Sequence, residues 1–413
     1  MEEQFRPKER VGGSSPSRGT PAHVRGIRMT DDADSERTFL DKYEEEAAKI
    51  GRFNLAIFGK TGTGKSTLIN AVFGEDVAPT GIGEPVTRTN HLYLHRAGFF
   101  GLIDTRGLEI GTGTDQIIAE LGAYLTEMRT KPLAEQVHVA WYCVRASDRR
   151  FEDTEAEFIR RLHSLDLPVV VVLTQVPSRD GVFHEDAHAL ADHIASLDLP
   201  TYSGRPLLVM AKGDDFTQQA EHGLKGLLDA TFRVAPEGVT NALNAAQKID
   251  LTRKWKAAQV AIGIATTGAG LIGATPIPVA DAMLIVPAQL ALMARISAIY
   301  GIPKEAAGMS AVVATSVATA AGRGAVTGLL KLIPGAGSII GGAISAATAA
   351  SLTAAMGYAW ATVCGQLSQG KFAGADGVID RKAMKKLFEG EILSWVKKLG
   401  KTKDVTAVEA PVG

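Results

Sequence analysis

Gly59-Lys60-Thr61-Gly62-Thr63-Gly64-Lys65-Ser66 fits the pattern G-x-x-x-x-G-K-[ST] at every fixed position. Residues of these types at this spacing can hold phosphate. The glycines let backbone N–H groups close around phosphate oxygens, and the start of a following helix adds partial positive charge. Lys65 is then expected to reach the β- and γ-phosphates and the Ser66 hydroxyl to ligate Mg²⁺, with Thr67 beside it on the helix start. A second box, Asp104-Thr105-Arg106-Gly107, fits D-x-x-G. There Asp104 would hold Mg²⁺ through water, and the Gly107 N–H would sense the γ-phosphate. Between the boxes, a threonine of the 81–89 loop should complete the Mg²⁺ shell when a γ-phosphate is present. Thr87 is the first choice and Thr89 the second. Lys65, Thr87 and Gly107 are thus the catalytic candidates, and Ser66, Thr87 and Asp104 the metal-site candidates.

These groups can work together only if a strand, a loop and a helix set them at one edge of a sheet. The run 53–58 reads as the strand before the loop, and 65–73 as the helix after it. Further strands are expected at 91–96, 99–104, 137–144, 168–174 and 206–211, and helices at 114–129, 152–164, 184–196 and 220–233. This alternation predicts an α/β fold with a mostly parallel sheet flanked by helices, the P-loop NTPase architecture. Val169–Leu173 reads as a strand buried on both faces. Residues 1–35 read as a disordered tail, 36–238 as the nucleotide-binding domain with a leading helix, 239–400 as an all-α, Ala/Gly-rich domain, and 401–413 as a loose end. Residues 239–256 read as one amphipathic helix ending in Arg253-Lys254-Trp255-Lys256.

The chain has 413 residues and a formal charge of −1, so no global field draws it to nucleic acid, and no DNA partner is expected. Its two cysteines, Cys143 and Cys364, lie far apart, which argues against a disulfide framework and fits a cytoplasmic setting. The N-terminus lacks the apolar stretch of a secretory signal.

Base selection follows from the residues after the fifth strand. A guanine-specific site usually carries [NT]-K-x-D there. This chain has Thr174-Gln175-Val176-Pro177, with Gln175 in the lysine position and Pro177 in the aspartate position. Asp180 stands three residues late, where a rearranged loop could bring it back. Met210-Ala211-Lys212 is similar to the S-A-K element whose backbone N–H meets guanine O6. The glutamine that positions the attacking water in Ras-like switches is replaced by Leu108, which predicts slow hydrolysis. Some relatives hold K⁺ with an asparagine at the fourth loop position, which here is Gly62. Arg88 and Arg106 are candidate charge stabilisers, in cis or across a dimer.

With these boxes in view, residues 50–235 resemble bacterial GTPases of the Era/TrmE type. The carrying phrases are GKTGTGKSTLINAVFGEDVAPTGIGEPVT, LIDTRGLE and VAWYCV. The stretch 276–302, with Pro278, Asp281, Pro287, Gln289 and Tyr300-Gly301, resembles a C-terminal helical domain of unknown function related to the YcjF-type inner-membrane proteins. The resemblance implies GTP/GDP binding by residues 59–67, Thr174, Gln175, Ala211 and Lys212, a Mg²⁺ requirement and membrane association. A homodimer through the GTPase domain is a further expectation.

Segments 257–275 and 338–364 are charge-free and long enough to span a bilayer, but Ala and Gly dominate them. Basic residues flank their outer ends, and Trp255 would then sit at the membrane interface. Asp281 opposes deep insertion. Association with the inner membrane and a soluble Ala-packed bundle both remain open. Three functions fit: a GTP-driven switch with slow turnover, a pseudo-GTPase scaffold, and a soluble Era-like ribosome-assembly factor. The third would need a basic RNA-binding face, and no such segment stands out.

Overall fold

The computed structural model describes residues 22–74, 91–104, 114–272, 277–278, 286–308, 343–344, 346–372 and 379–399. The chain begins with α1 (Ala22–Ile50), β1 (Phe53–Phe58), α2 (Lys65–Phe73), β2 (His91–Leu94), β3 (Phe100–Asp104) and α3 (Thr114–Met128). It continues through β4 (Val139–Arg145), α4 (Asp153–Ser164), β5 (Val169–Thr174), β6 (Ser178–Arg179), β7 (Val182–Phe183), α5 (Glu185–Ser196), β8 (Leu207–Leu208) and α6 (Leu224–Val234). The C-terminal part holds α7 (Thr240–Ala246), α8 (Leu251–Ile272), β9 (Ile277–Pro278), α9 (Val286–Ile299), β10 (Ala343–Ile344), α10 (Ala346–Ser368) and α11 (Arg381–Leu399).

Val139–Val144 and Val169–Leu173 are apolar at successive positions because they occupy the middle of a sheet covered on both faces. The sheet order is β2-β3-β1-β4-β5-β8. Only β2 runs antiparallel, pairing with β3; the remaining neighbours are parallel. The α/β expectation therefore holds. The strand expected over 206–211 is reduced to Leu207–Leu208, because past Val209 the chain leaves the sheet edge and Met210 bridges to His222 instead.

One face of the sheet packs on α3, α4 and α5 through Tyr142, Phe158, Ile159 and Leu190. The other face has a different partner. Phe53, Leu55, Trp141 and Val170 belong to a single buried cluster that runs on to Trp255, Met293, Trp360 and Trp395 of the C-terminal helices. Helix α1 joins that cluster rather than only leading into β1. Phe39 is fully buried, Tyr43 donates its hydroxyl to Ile302 O at 2.6 Å, and Lys304 pairs with Glu44. The backbone of α1 also begins at Ala22, so residues 22–35, expected to be tail, are helical; no proline interrupts 22–50.

The helix expected over 239–256 is broken. Gln247 Oε1 accepts from Asp250 N at 2.7 Å, and Asp250 Oδ1 accepts from Arg253 N at 2.9 Å, so Asp250 starts α8 and the chain turns between α7 and α8. Three residues of the basic cluster that follows make contacts within the protein. Arg253 pairs with Asp229 at 2.7 Å and lies 4.1 Å over the Phe232 ring. Trp255 is buried between Tyr358 and Trp395, at centroid distances of 5.6 and 5.9 Å. Its indole therefore fills the core rather than an interface with lipid. Lys254 is fully buried, and its Nζ donates to Ala245 O at 2.8 Å and Ile299 O at 3.3 Å, the last turns of α7 and α9. Among the described residues no helix is long and apolar enough to cross a membrane. Asp281 and residues 309–342 lie outside the described residues.

Burial holds the Lys254 amine well below the ordinary lysine value, with the nearby Lys248 charge adding to the effect. Below about pH 10.4 the unfolded chain takes up a proton that the folded site resists. The cost of burying Lys254 thus grows as pH falls and vanishes as pH rises toward that value. Denaturant unfolding of the wild type and Lys254→Met between pH 7 and 10 should show the wild type gaining on the variant as pH rises. A stability difference independent of pH would contradict the assignment.

Candidate nucleotide-binding site

The phosphate loop connects β1 to α2 at the carboxyl edge of the parallel strands, where open α/β sheets hold ligands. Two glycines make that connection. At Gly59 (φ 131°) an added Cβ would stand 2.1 Å from Cys143 O, so no side chain fits against β4. At Gly64 (φ 81°, ψ 19°) a left-handed residue starts α2, and no side chain caps the helix. Lys65 folds back over the loop, donating to Gly59 O at 2.6 Å and Lys60 O at 2.9 Å. Thr63 Oγ1 donates to Lys60 O at 2.9 Å. Ser66 and Thr67 are exposed on the first turn of α2.

The residues after β5 brace the loop from the side. Thr174 Oγ1 donates to Thr63 O at 2.5 Å, and Gln175 Nε2 donates to Gly62 O at 3.0 Å. Gln175 adopts a positive φ of 54° to do so. The glutamine in the lysine position thus donates to a carbonyl of the phosphate loop. The rearranged loop that could have brought Asp180 back to the base is not what the chain forms. Asp180 (φ 52°) and Gly181 (φ 78°) form the two-residue turn of the β6–β7 hairpin, an Asp-Gly type I′ signature, and Asp180 is exposed at its tip. The hairpin is tied to the loop after β8 by Ser178 N donating to Gln219 Oε1 at 2.8 Å. Ala211 is half-buried and Lys212 exposed at the start of that loop.

A cluster that the motifs did not announce holds the loop on its other side. Lys60 pairs with Glu152 at 2.8 Å and Glu155 at 3.2 Å. Glu155 is buried; it accepts from the Tyr142 hydroxyl at 3.1 Å and from Glu152 N at 2.9 Å. Burial opposes the Lys60 charge, but the bonds to Glu152 and Glu155 outweigh it and raise its pKa. Burial pushes the neighbouring Cys143 thiol up to about 12, the Lys65 charge pulling the other way. The signal available in the sequence was Glu152-x-x-Glu155, a capping box at the start of α4.

Asp104 ends β3 in register with Ile57, two residues before the loop, at the same edge of the sheet as Gly59. A hydroxyl from Ser66 and a carboxylate from Asp104 are hard oxygen donors of the kind Mg²⁺ takes. Thr87, Thr89, Arg88, Arg106, Gly107 and Leu108 lie outside the described residues. Among the described residues no His/Cys/Asp/Glu group could hold a metal by itself.

Residues 54–175 match the family described as 50S ribosome-binding GTPase, and residues 240–388 match a domain of unknown function, DUF697. The chain therefore joins a GTPase-type domain to that C-terminal domain. Among solved structures, a probable GTP-binding protein EngB is similar at 19% identity and a TM-score of 0.32, covering 44% of this chain and 97% of that one. A mutant S. thermophilus NFeoB bound to GDP is similar at 12% identity and a TM-score of 0.28, covering 84% of this chain and 98% of that one. No curated protein matches. The GTPase assignment of the first domain rests on the family match.

Removing the Lys65 ammonium while leaving the loop backbone intact should abolish nucleotide binding. Titration of Lys65→Ala with a fluorescent guanine nucleotide checks this, and affinity equal to wild type would contradict the role given to Lys65.

Proposed function

We propose that the chain is a Mg²⁺-dependent guanine-nucleotide switch that hydrolyses GTP slowly and transmits its nucleotide state to the C-terminal helices. One observation carries the coupling. Helix α2 begins at the phosphate loop and ends at Val72-Phe73-Gly74, where Val72 O accepts from Lys248 N at 2.8 Å. A Cβ at Gly74 would lie 3.5 Å from the Lys248 side chain. Lys248 belongs to the turn between α7 and α8, so the helix that bears the phosphate site bonds directly to the entry of the C-terminal domain.

In this reading residues 59–67 cradle the phosphates, with Lys65 on the β- and γ-phosphates. Ser66, Thr87 and Asp104 would hold Mg²⁺. The bound ion would offset phosphate charge and order the loop bearing Thr87. Gly107 N–H would respond to the γ-phosphate. Thr174, Gln175, Ala211 and Lys212 would line the base side. Slow turnover follows from Leu108 standing where a water-positioning glutamine is usual. An Era/TrmE-type bacterial lineage, a YcjF-related C-terminal domain, peripheral association with the inner membrane, and pairing through the GTPase domain complete the proposal.

A scaffold that binds nucleotide without turnover is the second reading. It is favoured by Pro177 in the base loop and by Gln175 committed to Gly62 O. Ribosome assembly, suggested by the family's description, is the third; the formal charge of −1 offers it no general attraction to RNA.

Phosphate release from GTP separates the first two readings. The switch predicts slow, Mg²⁺-dependent release that is lost in Lys65→Ala; absence of any release above that variant favours the scaffold. Thr87→Ala should lose preference for GTPγS over GDP while keeping GDP, and equal loss of both would remove Thr87 from the γ-phosphate site. Flotation of the full chain with anionic liposomes tests the membrane part, which fails if the protein stays unbound with either nucleotide.

A further inference from the structure

Arg145 is the last residue of β4, lying between β1, which feeds the phosphate loop, and Thr174 of β5, its register partner. Its Nη1 is 4.0 Å from the place a Cβ on Gly62 would occupy. Asp148 holds the rest of the guanidinium, accepting from Nε at 2.7 Å and lying 2.6 Å from Nη2. The short 3₁₀ turn Ala146–Asp148, closed by left-handed Arg149 (φ 51°), fixes Asp148 for that contact. The fork is therefore gripped on one side, with Nη1 toward the loop. The other nearby loop cation, Lys60, is already paired with Glu152 and buried Glu155.

The geometry points to Arg145 as a phosphate-contacting cation on the γ-phosphate side of the nucleotide, in the space where an asparagine at position 62 would otherwise hold a monovalent ion. Glycine at position 62 leaves that space open. A guanidinium is planar and permanently charged, and its N–H groups match pairs of phosphate oxygens. An arginine supplied in cis neutralises charge that develops on a transferring phosphoryl group. This assignment rests on the guanine-nucleotide reading above. It adds that no K⁺ is needed and that the cation comes from a strand end rather than from the 81–89 or 105–113 loops. If the Arg145–Asp148 pair served only the surface turn, nucleotide selectivity would not depend on it.

The test is equilibrium binding of GTPγS and GDP to the full chain with Mg²⁺, in NaCl and in KCl, for wild type, Arg145→Ala and Arg145→Lys. Wild type should bind GTPγS equally in both salts. Arg145→Ala should weaken GTPγS by about 10- to 100-fold, the scale of a lost charge-assisted bond, with GDP little changed. Arg145→Lys, which keeps charge and stem, should fall between and serves if the alanine variant does not fold. Parallel loss of both nucleotides, an unchanged ratio, or a K⁺ requirement in wild type would overturn the assignment. A wild type that binds neither nucleotide overturns the guanine-nucleotide reading itself, and Arg145's role with it.

Discussion

A phosphate held by backbone N–H groups needs a chain that turns where side chains cannot go. Gly59 is that point, packed so closely on Cys143 O that an added Cβ would stand at 2.1 Å. The contact requires β4 to lie beside β1, so the phosphate loop depends on the centre of the sheet being correctly paired. From there the braces are set by topology. Parallel β5 brings Thr174 and Gln175 to the carbonyls of Thr63 and Gly62, and the end of β4 delivers Arg145 to the same loop. Lys60 and buried Glu155 close the remaining side. The loop is thus braced by neighbouring side chains on both sides, and such preorganisation lowers the ordering cost of binding.

The second dependence is a shared interior. One buried cluster extends from Phe53 and Trp141 of the sheet to Trp255, Tyr358 and Trp395 of the C-terminal helices. Apolar area removed from water contributes on the order of 25 cal/mol per Å², so a continuous cluster resists separation of the two parts. Lys254 sits inside this joint, on the carbonyl ends of α7 and α9. The Val72–Lys248 bond ties the end of α2, the helix that leaves the phosphate loop, to this joint.

The sheet was readable because its central strands are apolar on both faces, as in Val169-Val170-Val171-Val172-Leu173, and because the loop motif demands a strand before it and a helix after it. The starts of α2, α3, α4 and α5 came within a residue of expectation for the same reason. What escaped was decided by tertiary packing. Basic residues beside Trp255 looked like a membrane flank, yet helical spacing puts Lys254 and Trp255 inward while Arg253 finds Asp229. The break at 247–250 comes from side chains of Gln247 and Asp250 bonding local backbone, which periodicity does not register. Asp180-Gly181 is itself a turn signal, and the hairpin uses it as one, which takes Asp180 away from the base. Arg145 carried no motif; only strand register brings it to Gly62.

The central claim is that this site selects guanine although Pro177 stands in the aspartate position and Asp180 is spent on a hairpin turn. Competition of GTP, GDP, ATP and XTP for the full chain with Mg²⁺ tests it most directly. The account predicts that GTP and GDP compete strongly while ATP is at least about tenfold weaker, a difference of about 1.4 kcal/mol. Equal competition by ATP and GTP would contradict it and leave a general P-loop nucleotide site.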